Sequence, residues 1–296
     1  MEERQKLTIL VVGGHPADVF DHCGGTLCHH VQAGDRVVGL AMTQGLRIHD
    51  IVLSEKFRNG IPDDAREEFE RIKKEREEAK YQETRDACAC LGINEVRFLS
   101  YDDDVLIENN AMIKSVAKVI RDVRPNIIIT HYPFEEGGVG SHHANTARIV
   151  MHAIQLAATV DFETSVPGWR IAQTFFMIAS SLTQSHGLLG AMNAPFVPFY
   201  VDITDVIERK VAALNCMKSQ QYGGRYALKR TEVNEGAYGH HNRTAYCEAF
   251  VPANPDLYHL LPVSKQRLAW ENEQELETRK RGSLMKVPFL YDIDRE

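Results

Sequence analysis

Leu10-Val-Val-Gly-Gly-His15-Pro-Ala-Asp18-Val-Phe-Asp21-His22-Cys-Gly24-Gly25-Thr26-Leu27 contains, in order, a strand, a glycine break, a short polar turn and the opening of a helix. The apolar run over 7–12 predicts a strand covered on both faces, as in a parallel sheet. Gly13-Gly14 ends it, and 24–32 reads as the helix that follows. His15 and Asp18 therefore fall in the turn beyond the carboxyl end of a strand, where open α/β sheets bind their ligands.

The same alternation continues outward from that stretch. Further strands are expected at 36–42, 95–99 and 126–131, separated by helical patterns at 24–32, 64–91 and 109–123. A helix over 142–159, strands at 170–178 and 197–201, and a helix over 204–220 follow. This is the pattern of a Rossmann-like three-layer α/β sandwich with a mostly parallel sheet. The main domain is expected over 1–250 and a C-terminal extension over 251–296, where Pro252-Ala-Asn-Pro255 and a polar stretch at 271–281 depart from the core pattern. Charges of both signs alternate over 65–80, which reads as a solvated helix face.

Composition narrows the function classes. The 296 residues are 44% hydrophobic and 25% charged, ordinary for a globular chain. A net charge of −7 argues against a nucleic-acid footprint and for a small-molecule substrate. No stretch offers the roughly 18 uninterrupted apolar residues of a membrane span, and 1–6 lacks a signal-peptide pattern. Six cysteines without a Cys-x-x-Cys pair are expected to be reduced, mostly packed thiols. The expectation is a cytoplasmic protein, with assembly into a homo-oligomer left open.

A second polar cluster follows the fourth strand: Ile127-Ile-Ile-Thr-His131-Tyr-Pro-Phe-Glu135-Glu136-Gly-Gly-Val-Gly-Ser-His142-His143. In a doubly wound sheet the first and fourth strands can flank the switch point, so both loops reach one crevice. His15, Asp18 and His143 then supply two imidazoles and one carboxylate, leaving a position for water or substrate, the plan of catalytic zinc. Fe2+ and other divalent metals fit the same trio, because it contains no thiolate.

The strand, His15-Pro16-x-Asp18 and Gly24-Gly25-Thr26 resemble the first motif of the PIG-L/LmbE-like superfamily, usually His-Pro-Asp-Asp-Glu followed by Gly-Gly-Thr. His143 matches its second motif, usually Pro-Asp-His. Arg209-Lys210-x-x-Ala213, Ser219-Gln220 and Tyr246-Cys-Glu248-Ala-Phe250 are supporting matches, so the resemblance covers 7–250. It implies a zinc-dependent catalytic domain with a deacetylase-like fold. In the superfamily's deacetylases the first Asp of the motif is the general base, and here that position is Ala17. A methyl group accepts no proton, and loss of a general base costs about 10²–10⁴ in rate.

The His-x-Ala-Asp pattern is similar to that of the 4-oxalomesaconate hydratase branch, which implies hydration of an unsaturated keto acid as the leading reaction. Zinc-dependent N-deacetylation or other amide hydrolysis is the alternative, and a non-catalytic metal-binding protein is a third. The replacement acid/base residue is sought at His49 or Asp50, on the loop Thr43-Gln-Gly45-Leu-Arg47-Ile-His49-Asp50, or at His142. His131, Glu135 and Glu136 stand second. An anionic substrate would be held by Arg47, His131, Arg225, His240 and Arg243, and the Gly-rich stretch 236–243 reads as a lid or substrate loop.

Overall fold

The computed structural model describes residues 4–104, 106–135, 139–178 and 197–286. Within them one mixed sheet is built from β1 (Thr8–Gly13), β2 (Arg36–Thr43), β3 (Glu95–Tyr101), β4 (Ile127–His131), β5 (Gln173–Met177), β6 (Phe199–Asp202) and β7 (Cys247–Pro252). Their spatial order is β3-β2-β1-β4-β5-β7-β6. The first five in that order run parallel, while β7 lies antiparallel to both β5 and β6. The helices are α1 (Gly24–Gln32), α2 (Leu46–His49), α3 (Ile51–Phe57), α4 (Arg66–Cys90), α5 (Asn110–Val123), α6 (Val139–Ala157), α7 (Ile207–Cys216), α8 (Arg225–Thr231), α9 (Ala237–His241), α10 (Lys265–Ala269) and α11 (Glu275–Gly282).

β1 is central because both of its faces are apolar. Ile9 and Val11 pack with Leu27 of α1, Cys88 of α4 and Leu214 of α7 on one side. Leu10 and Val12 pack with Val116 and Ile120 of α5 and Ile149 and Val150 of α6 on the other. That gives the three layers expected. α5 shows how the sequence sets an element: Met112, Val116, Ile120 and Val123 recur at helical spacing, and the Asn109 side chain accepts from the Met112 N–H at 3.0 Å as an N-cap.

The chain leaves β1 for β2 on one side and later returns through β4 on the other, with Ile9 paired to Val37 and to Ile127. The switch point therefore lies between the carboxyl ends of β1 and β4, and it places the first turn beside the fourth-strand loop. Gly13 is required there, since a Cβ on it would come within 2.6 Å of the Asp18 Cβ. Gly45 is held at φ 64°, and a Cβ on it would come within 2.8 Å of Pro16 Cδ, so the loop after β2 folds close against the turn.

Four details differ from the sequence expectation. The helix expected over 204–220 ends at Cys216, followed by a 3-10 turn at Lys218–Gln220. The loop after β2 carries the short helices α2 and α3. The stretch read as a lid is helical, a π turn at Glu232–Gly236 running into α9. A further strand, β7 (Cys247–Pro252), carries Glu248, whose buried charge is balanced only in three dimensions, by Lys210. Among the described residues no helix is long and apolar enough to cross a membrane.

Candidate metal centre and its surroundings

The turn after β1 is organised by its own residues. Pro16 opens a 3-10 turn, Pro16–Val19, in which the Asp18 N–H donates to the His15 carbonyl at 3.1 Å. The His15 N–H in turn donates to Asp18 Oδ2 at 2.7 Å. His15 and Asp18 are thereby locked on one side of the turn, with His15 Nδ1 3.0 Å from Asp18 Oδ2. β4 delivers His131 and the first turn of α6 delivers His143, whose Nε2 atoms stand 3.3 Å and 3.5 Å from the same oxygen. All four side chains are buried.

Three imidazole nitrogens thus converge on one carboxylate oxygen. The Gly14 N–H donates to His131 Nε2 at 3.1 Å, so this nitrogen acts as an acceptor and sets one acceptor beside another, Asp18 Oδ2. His143 Nε2 and His15 Nε2 are buried without a hydrogen-bond partner. Glu135 accepts at 2.9 Å from His143 Nδ1, which fixes the ring and turns Nε2 toward Asp18. A carboxylate on the far nitrogen of a metal-binding histidine is the usual second partner of such a ligand.

Charge balance points the same way. Burial raises the Asp18 carboxyl, but the neighbouring charges of His143, His131 and His15 outweigh it and hold it well below the usual carboxylate range. Burial opposes charge on His143, yet Asp18 and Glu135 together push its imidazole up to about 10. With side chains alone, the pair of carboxylates recruits a proton onto His143. A divalent cation answers the same demand, and the donor atoms of His15, Asp18 and His143 lie within 4.8 Å of one another, as do those of His131, Glu135 and His143. The residues fit a metal ion of the zinc type.

Glu135 carries a direct prediction. Glu135→Gln keeps the side-chain shape and removes the charge that polarises His143, and metal affinity is expected to fall about 10–100-fold, measured by competition with a chromogenic chelator. Unchanged affinity would remove Glu135 from the site.

The remaining expected site residues separate into two groups. His49, at the end of α2, and His142 flank His15, with ring centroids 4.6 Å and 5.5 Å from it. Burial and the neighbouring His15 lower the His49 imidazole to about 3 and also lower that of His142, so both rings are neutral near pH 7. Asp50, by contrast, caps α3 through the Leu53 N–H at 3.0 Å and pairs with Arg76 at 3.0 Å. Its carboxylate is committed to structure.

The expected substrate-binding residues lie as follows. His131 is fully buried and stacked on His143 at 3.9 Å, inside the ligand cluster and not on a substrate surface. Arg47 is exposed and paired with Asp102 at 2.5 Å. His240 Nδ1 lies 3.4 Å from the Gly282 carbonyl, and the Arg243 backbone carbonyl accepts from Arg281 at 2.8 Å. Arg225 opens α8 at an exposed position. Glu136 lies outside the described residues.

Two pairings appear only in three dimensions. Arg230, on α8, donates Nε to Asp21 Oδ1 at 2.9 Å and Nη2 to Asp21 Oδ2, beside His22, whose ring centroid is 6.5 Å from that of His143. Lys210 is buried with Nζ 2.7 Å from both Glu235 and Glu248, while Glu248 also accepts the Gly25 and Thr26 N–H groups that open α1. Asp21 and His22 stand in the quoted stretch, but nothing local marks their partner 209 residues away.

Residues 10–154 match the sequence profile of the PIG-L family, described as GlcNAc-PI de-N-acetylase. A 1D-myo-inositol 2-acetamido-2-deoxy-alpha-D-glucopyranoside deacetylase of Acidothermus cellulolyticus is 26% identical over 263 residues, 78% of this chain and 86% of that one. N,N'-diacetylchitobiose deacetylase of Pyrococcus horikoshii shares the fold with a TM-score of 0.65 at 18% identity, over 83% of each chain. GalB, the 4-carboxy-2-hydroxymuconate hydratase of Pseudomonas putida KT2440, does so with a TM-score of 0.65 at 20% identity, over 87% of this chain and 100% of that one.

Proposed function

We propose, from the premise that this chain carries a PIG-L family domain over residues 10–154, that it is a zinc-dependent hydrolase removing an acyl group from the nitrogen of a small polar molecule. The observation that carries this reading is the buried convergence of His15, Asp18 and His143, with Glu135 fixing His143. The named deacetylase relative supports amide hydrolysis over the hydration expected from the His-x-Ala-Asp pattern.

His15, Asp18 and His143 would hold the ion. Bound there, it would supply Lewis acidity toward the amide carbonyl and lower the pKa of a bound water toward about 7. The chain itself must then move protons. Ala17 is buried in the apolar cluster with Val19, Phe20 and Leu27 and has nothing to contribute. His142 is the better of the two flanking rings: it is only half buried, and its Nδ1 has no hydrogen-bond partner. Neutral at working pH, it can take a proton from the attacking water and return it to the departing amine. His49, the more deeply desolvated ring, would shape the wall beside His15.

His142→Ala is expected to lower kcat about 10²–10⁴-fold with metal content unchanged, and His49→Ala to have the smaller effect. Equal rates in wild type and His142→Ala would take His142 out of the mechanism. A second reading, hydration of a carbon–carbon double bond conjugated to carbonyl and carboxylate groups, is favoured by Ala17 alone. Product analysis by NMR on the metal-loaded chain separates the two: a free amine and a carboxylate from N-acetylated substrates support the first reading, while water addition to 4-carboxy-2-hydroxymuconate with every amide intact supports the second.

A further inference from the structure

The C-terminal ends of α4 and α7 bring two cysteines together far from the metal centre. Cys90 Sγ and Cys216 Sγ are 3.9 Å apart across the packed helices, and both are half-buried, whereas Cys23, Cys28, Cys88 and Cys247 are buried. We infer that Cys90 and Cys216 are an oxidation site, forming a reversible disulfide when the chain meets a hydroperoxide. A disulfide needs sulfurs about 2.05 Å apart, so the pair must close by roughly 2 Å. The first turn of α7 also reaches the end of α4, where Arg209 Nε donates to the Cys90 carbonyl at 2.9 Å.

The proposed order assigns the two sulfurs different roles. Cys216 donates its S–H to the Ala212 carbonyl at 3.4 Å and takes the resolving role, with Cys90 as the attacking sulfur. Burial and the neighbouring Cys90 push the Cys216 thiol up to about 11, which keeps it protonated until its partner has reacted. Cys90 sulfur takes the terminal oxygen of the hydroperoxide, the O–O bond breaks, and the thiol proton leaves with the alcohol. Cys216 sulfur then attacks the resulting sulfenic sulfur, and the hydroxyl departs with the Cys216 proton as water. Two thiols are oxidised by two electrons and one peroxide is reduced.

The bond would staple α4 to α7 across a separation of 126 residues. It should leave the catalytic end alone. Lys80, through which α4 holds the His49 carbonyl at 3.1 Å, is ten residues earlier on the helix, about 15 Å away.

The test uses the full chain and one equivalent of tert-butyl hydroperoxide. Free thiols counted after denaturation should fall from six to four, the mass should fall by two hydrogens, and a peptide map should join Cys90 to Cys216. Dithiothreitol should reverse all three, and the oxidised chain should melt several degrees higher. Cys90→Ser and Cys216→Ser should each abolish the cross-link. The assignment is overturned if the folded wild type forms no cross-link, if Cys90 gains oxygen without one, or if the cross-linked peptide joins other cysteines.

Discussion

Asp18→Ala is expected to leave a folded chain that holds no metal and turns over at least about 10³-fold more slowly. Asp18 Oδ2 is the point on which His15, His131 and His143 converge, so its removal deletes the one anionic ligand of the trio and the charge that orders the three rings. The structural penalty is modest. The His15 N–H loses its acceptor, costing about 1–3 kcal/mol, against the 5–15 kcal/mol by which domains are usually stable. Asp18→Asn sharpens the result, since it keeps a hydrogen-bond acceptor for the His15 N–H and loses the charge. Elemental analysis and circular dichroism separate loss of metal from loss of fold, and full metal occupancy in either variant would sink the ligand assignment.

Lys210→Met is expected to cost about 3–5 kcal/mol of stability, read from the urea midpoint. The ammonium is fully buried between Glu235 and Glu248, and Glu248 simultaneously caps the N-terminus of α1. Methionine fills the space but leaves two carboxylates facing each other without a cation. In the wild type, burial opposes the charge on Glu248, and Lys210 outweighs it, holding the carboxyl below its usual range; that stability is present at neutral pH and is lost as pH falls. In the variant the sign reverses. With both carboxylates raised above their unfolded values, the folded state binds more protons than the unfolded one, so stability falls as pH rises. Lys210→Met should therefore be more stable at pH 5 than at pH 7.5. A variant as stable as wild type at both values would show that the buried cluster carries no net charge demand.

The sequence made the architecture legible where periodicity and chemistry agree. The apolar run before Gly13 identified β1, and the amphipathic spacing of Met112, Val116 and Ile120 identified α5. The quoted turn and the His143 loop were recognisable as parts of one crevice because doubly wound topology dictates where such loops meet, and the structure brings them together. What stayed hidden depends on contacts between distant segments. Lys210 and Glu248 stand in the sequence only within two supporting motifs, and their pairing at the start of α1 shows only in three dimensions. Arg230 gains its meaning only beside Asp21. Asp50 lay on the right loop, yet a carboxylate just before a short helix serves as its cap. The role of Glu135 rested on a ring orientation that no spacing rule encodes.

Metal-dependent amide hydrolysis is tested most directly by stripping the chain with a chelator and restoring zinc in known equivalents while following acetate release from a panel of N-acetylated sugars and amino acids. The stripped chain should release none, and activity on at least one substrate should rise linearly and level off at one ion per chain, with Asp18→Ala silent throughout. Acetate release at the same rate without metal, or a zinc-loaded chain that hydrates an unsaturated keto acid while leaving every amide untouched, would contradict the account.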